Sequence, residues 1–111
     1  MTLTDSQYAA RRAVSERLAV EVMGGTKEDR QEFFDDAGAA VRLAEAYWRS
    51  PRGHQVYIAT CALRRDDLLW RTDIPDAHTP RTNNVWAAEY PFAEAVTRAV
   101  CEAMGINTEG L

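Results

Sequence analysis

The 111-residue chain reads as an α+β domain: two N-terminal helices, a small antiparallel β-sheet made of a hairpin plus a short third strand, and a C-terminal helix. Three observations predict this. Apolar residues recur at helical spacing before residue 50 and after residue 91, residues from Leu68 to Ile74 alternate with a period of two, and Pro51 and Pro91 punctuate the boundaries. The alternative is an all-α four-helix domain in which 52–71 is helical. At this length one domain over 1–111 is expected.

The first helix is placed at about 5–23. Thr4 caps it, Ala10, Val14, Leu18 and Val22 form a narrow small-residue stripe, and Gly24-Gly25 stop it. Arg11, Arg12, Glu16 and Arg17 fall on the wetter sides. A second helix is placed at about 26–49, capped by Thr26, with Glu28 and Asp29 in a first turn that favours negative charge. Phe33, Ala37, Ala40, Val41, Ala44, Tyr47 and Trp48 make its apolar face. Gly38 in its interior costs up to about 1 kcal/mol against Ala, which close packing of another element would explain. Ser50-Pro51 ends it.

Strands are placed at about 55–63, 68–74 and 85–90. Arg64 to Asp67 forms the hairpin connection, with Leu63 beside Leu68, Cys61 beside Trp70 and Tyr57 beside Ile74. The stretch "TDIPDAHTPRTNNVWAAEYP" from Thr72 to Pro91 is then a loop leading into an edge strand, its Pro and Asn residues suited to turns. The last helix, about 91–104, opens on Pro91. Phe92, Ala95, Val96, Ala99, Val100, Ala103 and Met104 form its broad apolar face, Glu94, Arg98 and Glu102 its charge ladder, and Gly105 its stop. Asn107 to Leu111 is expected to fray, and Trp48, Trp70, Trp86 and Tyr90 are assigned to the core.

The order of these elements and several phrases resemble small phage proteins of the phage ABA-sandwich type. The phrases are "RLAVEVMGG", "FFDDAGAAVRLAEAYW" and "AEYPFAEAVTRAVCEAMG". The resemblance implies a helix ending in a Val-Met-Gly phrase, an Asp-containing helix start, a short antiparallel sheet and a last helix on a Pro-x-x-Ala-x-x-x-Ala pattern. It also implies a phage or prophage source, without a fixed activity.

Composition narrows the function classes. With 17 Asp and Glu against 13 Lys and Arg, a net charge of −4 disfavours direct binding of nucleic acid, whose phosphates call for a cationic surplus. No apolar run approaches the roughly 20 residues of a membrane span and no signal-peptide core follows Met1, so a cytoplasmic place in a bacterial host is expected. Cys61 and Cys101 lie far apart in apolar segments and read as two buried reduced thiols. His78 with Asp76 and Asp73 could be read as a base or a metal site. Pro75 and Pro80 splay that backbone and His54 comes from a different loop, so a solvated loop is the expectation, with no catalytic residue, metal or cofactor.

One feature resists a bland reading. Glu28, Asp29, Glu32, Asp35 and Asp36 extend acid past the reach of a helix dipole, and Glu28/Glu32 and Glu32/Asp36 would be like-charge i,i+4 pairs. Either they pair with Arg11, Arg12, Arg64 or Arg65, or they form a partner-binding patch that docks on a basic groove. The functional expectation is a non-enzymatic accessory protein of phage or prophage type. It would bind a host protein through this acidic surface, plausibly inhibiting a nucleic-acid-handling system in an anti-CRISPR-like or anti-restriction-like way, as a monomer or weak homodimer. The competing readings are a self-associating structural or assembly protein and, further off, a small enzyme or metal-binding protein using the 72–91 loop.

Overall fold

Helix packs on helix in the core of this protein. The computed structural model describes residues 2–51, 53 and 90–111 in full, and of 57–63, 68–74 and 85–89 the backbone alone. The α+β class is corrected by it. The residues described in full are 62% helical and 1% strand, with three helices and no sheet among them, which fits the all-α class of the alternative but not its fourth helix over 52–71. The physical reason is that a period of two speaks only to local backbone conformation; the apolar face of a helix is buried equally well against another helix. In the 57–90 region the backbone traces three extended segments, β1 (Tyr57–Leu63), β2 (Leu68–Ile74) and β3 (Val85–Tyr90), in antiparallel order β1-β2-β3. No core layer is assigned to them. Trp70, Trp86, Cys61, His54, His78, Asp73, Asp76, Arg64 and Arg65 all have side chains outside the described residues.

Helix α1 (Asp5–Glu21) starts on Thr4, whose hydroxyl accepts from the Gln7 N–H at 3.1 Å while the Gln7 side chain accepts from the Thr4 N–H at 2.8 Å. This reciprocal cap satisfies two of the donors that a helix start leaves open. It ends at Gly24, whose φ of 75° reverses the chain at no steric cost. The buried stripe is Arg11, Ser15, Leu18 and Ala19 continuing to Val22, with Ala10 and Val14 half-buried. The expected wet placement of Arg11 is therefore corrected.

Helix α2 spans Ala37–Arg49, so the expected start at Thr26 is corrected by ten residues. Lys27–Asp29 is a single 3₁₀ turn, and the chain then runs through turns to Asp36. Asp36, a strong capping residue and a poor helix former, accepts from the Gly38 N–H at 3.0 Å and becomes the N-cap. Gly38 sits in that first turn. Among the described residues an added Cβ there would meet the Arg42 guanidinium at 3.3 Å and the Asp36 carboxylate at 3.4 Å, so none of these elements demands the glycine. With the start moved, the face turns: Ala39, Ala40, Leu43, Ala44 and Tyr47 are buried, whereas Val41 is 48% and Trp48 53% exposed. Both were expected in the core.

Helix α3 (Phe92–Ala103) is capped by Pro91 and buries Ala93, Ala95, Val96, Thr97, Ala99, Val100 and Cys101. Its alanines permit close approach: Ala93 and Val96 pack with Ala40 and Ala44 of α2 in one cluster. The larger cluster joins Leu18 and Val22 of α1, Phe33 and Phe34, Leu43 and Tyr47 of α2, Val100 and Met104 of the α3 end, and Ile106 and Leu111. Gly105 closes α3 with φ 76°, and the Ile106 N–H returns to the Cys101 carbonyl at 2.8 Å. The expected frayed tail is corrected, since Leu111 is only 5% exposed.

Candidate protein-binding surface

Between α1 and α2 lies a non-helical connector, residues 24–36, held by two adjacent aromatics. Phe33 and Phe34 are 0% and 4% exposed, so two large side chains in succession are sunk in one core. Turns replace the helix here. The Phe33 N–H donates to the Gln31 carbonyl at 2.9 Å and the Asp36 N–H to that of Glu32 at 2.8 Å. Thr97 of α3 fixes the connector from below, donating its hydroxyl to the Phe33 carbonyl at 2.6 Å. Arg42 of α2 fixes its flank through two hydrogen bonds to the Gln31 side chain, at 2.7 and 3.2 Å.

All five acids expected at a partner-binding patch, Glu28, Asp29, Glu32, Asp35 and Asp36, are exposed on this connector. Their circumstances differ. Asp29 folds back to accept from the Thr26 N–H at 2.8 Å and hydroxyl at 3.3 Å, and Asp36 is the α2 cap. Glu32 pairs with Arg30 at 2.9 Å while staying 66% exposed. The side chains of Glu28 and Asp35 make no hydrogen bond or ion pair among the described residues, so their charge faces water. The Asp29 fold-back also explains Gly25, where an added Cβ would come within 2.5 Å of the Asp29 carboxylate.

Two expectations about this patch change. The like-charge i,i+4 strain does not exist, because 30–36 is not helical. The anticipated pairing with the arginines of α1 does not occur either. Arg11 binds Glu94 at 3.3 Å and Arg12 binds Glu16 at 3.5 Å. Phe33-Phe34 as the anchor, Thr97 as its tie and Arg30 as a local counter-charge are not foreseen from sequence; adjacent aromatics followed by two Asp is the available signal, since Asp-Asp marks a cap more readily than a helix interior.

Arg12, Glu16, Lys27, Glu28 and Arg30 line a shallow cleft of about 380 Å³ at the edge of the connector, mixing both signs of charge. Trp48, exposed where the core was expected, sits at the far end of α2, roughly 18 Å along the axis from Asp36 at 1.5 Å per residue. It does not adjoin the acids. Cys101 is fully buried, and burial first, then the Glu102 carboxylate, pushes its thiol up to about 12. A thiol so protonated is no nucleophile at neutral pH. Among the described residues no group of three or more His, Cys, Asp and Glu is placed to hold a metal, and no helix is long and apolar enough to cross a membrane.

Comparison with family models, with curated proteins and with solved structures finds no match.

Proposed function

We propose that this chain is a non-enzymatic accessory protein of phage or prophage type, which binds a host protein through the acidic connector. The observation that carries the reading is the division of labour within 24–36: the two phenylalanines are sunk in the core while Glu28, Glu32 and Asp35 point their charge outward. A charged loop with a fixed base keeps its geometry in the complex and loses little entropy on binding. The partner such a surface fits is basic. Proteins that handle nucleic acid offer Lys- and Arg-lined grooves that accept negative charge, and complementary charge speeds and selects their encounter with an acidic protein.

The test uses Glu28→Gln, Glu32→Gln and Asp35→Asn together, leaving the capping Asp29 and Asp36 in place. Wild type and variant serve as baits in bacterial lysate at low salt. A nucleic-acid-handling protein held by the wild type and lost by the variant supports the reading; identical captured sets on both baits would sink it.

A further inference from the structure

Against Phe34 at the base of the connector, α1 and α3 are joined by a cluster that the proposed function does not use. Arg11 of α1 and Arg98 of α3 share the Glu94 carboxylate, at 3.3 and 2.8 Å. Both also donate to the main-chain oxygen of Leu111, Arg11 at 3.1 Å and Arg98 at 2.7 Å, while the Leu111 side chain enters the core. Arg98 donates in addition to the Thr108 carbonyl at 3.3 Å. The guanidiniums lie over aromatic faces, Arg11 over Phe34 at 4.9 Å and Arg98 over Tyr90 at 4.5 Å.

The segment after α3 thus sits like a ligand: an aliphatic side chain in an apolar pocket, its adjacent oxygen between two arginines. It leaves the donors incompletely used. Arg11 is nine-tenths buried, and its Nε–H has no partner among the described residues. A planar carboxylate engages guanidinium donors in pairs. Beside this cluster a cleft of about 420 Å³ opens, lined by Gln7, Tyr90, Arg98 and residues 108–111, a size within the range of small-ligand sites. Gly105 and Gly110 hold φ values of 76° and 79° toward its two ends, at residues where the backbone can change without a side-chain clash.

We infer that the Arg11/Arg98 pair and the leucine pocket beside it form a recognition site for an aliphatic carboxylate, occupied here by the chain's own Leu111. An incoming ligand competes with Leu111, so its apparent affinity is reduced by the fraction of molecules with the segment in place. Loosening the segment should raise affinity.

The experiment titrates the full chain with N-acetyl-leucine, with N-acetyl-leucinamide, and with a synthetic peptide of residues 106–111 bearing a free carboxylate, followed by NMR. Two variants loosen the segment without touching the arginines. Leu111→Ala empties the pocket, and Gly110→Ala strains a left-handed backbone with nothing within 4 Å of the new Cβ. The expected result is carboxylate-dependent binding that is at least about tenfold tighter in either folded variant than in the wild type. A peptide that outbinds N-acetyl-leucine assigns the site to peptide ends, and equal binding assigns it to small carboxylates. Equal responses to acid and amide, or no binding by the wild type and the loosened variants at about 20 mM ligand, overturn the inference.

Discussion

The Thr97 hydroxyl lies 2.6 Å from the main-chain oxygen of Phe33 in a fully buried setting, tying the acidic connector to α3 across 64 residues of sequence. Thr97→Val keeps the shape and removes the donor, leaving a buried carbonyl unsatisfied. The expected loss is about 1–3 kcal/mol in urea unfolding, together with faster amide exchange around Phe33. Wild-type stability and exchange in the variant would show that the phenylalanines alone hold the connector.

Glu94 stands between two guanidiniums whose side chains are 10% and 14% exposed. Removing it leaves two largely buried guanidiniums without their carboxylate counter-charge. Glu94→Ala should therefore cost about 3–5 kcal/mol. The exposed Glu45–Arg49 pair at 3.0 Å gives the control, and Glu45→Ala should cost less than about 1 kcal/mol. Similar urea midpoints for the two variants would contradict the assignment of Glu94 to a buried network.

Tyr47 and Trp48 are sequence neighbours with opposite fates, 1% and 53% exposed. Tyr47→Ala should cost about 3–5 kcal/mol and Trp48→Ala no more than about 1 kcal/mol. The reverse order would restore the face that a helix starting at Thr26 presents.

Cys101 makes a pH prediction. Its thiol, pushed by burial from 9.0 up to about 12, stays protonated in the folded chain after the unfolded chain has begun to ionise. The folded state then holds more protons, so stability present below about pH 9 declines as pH rises toward 12, by roughly 1.4 kcal/mol per unit. The stability difference between wild type and Cys101→Ala should shift against the wild type by that slope between pH 9 and 10.5. A difference that stays flat would mean the thiol titrates normally.

Much of the helical framework was legible because its signals are local. The Thr4 cap, the Gly24 stop, the apolar period from Phe92 to Met104 and the Gly105 turn all declare themselves within a few residues. The start of α2 was not, since "TKED" imitates a helix start, and the turns that follow are tied by a residue far along the chain, the Thr97 hydroxyl on the Phe33 carbonyl. Arg11 was placed in water because an arginine looks polar on any helical wheel; its burial depends on Glu94, 83 positions away. The same long-range cluster turned an expected frayed end into a buried Leu111. As for the surface, the exposure of Glu28, Glu32 and Asp35 followed from their charge, whereas the capping duties of Asp29 and Asp36 emerged only from the turns around them.

Salt-dependent binding tests the central claim, that Glu28, Glu32 and Asp35 are the binding charges of the connector. A partner captured by the wild type should be titrated against wild type and the Glu28→Gln, Glu32→Gln, Asp35→Asn variant between about 50 and 300 mM salt, a range over which the Debye length shrinks from about 14 to 6 Å. The account predicts that wild-type affinity falls steeply with salt, and that the variant binds at least about tenfold more weakly at low salt with a flattened dependence and an unchanged urea midpoint. Equal affinities and equal salt slopes for the two proteins would contradict it.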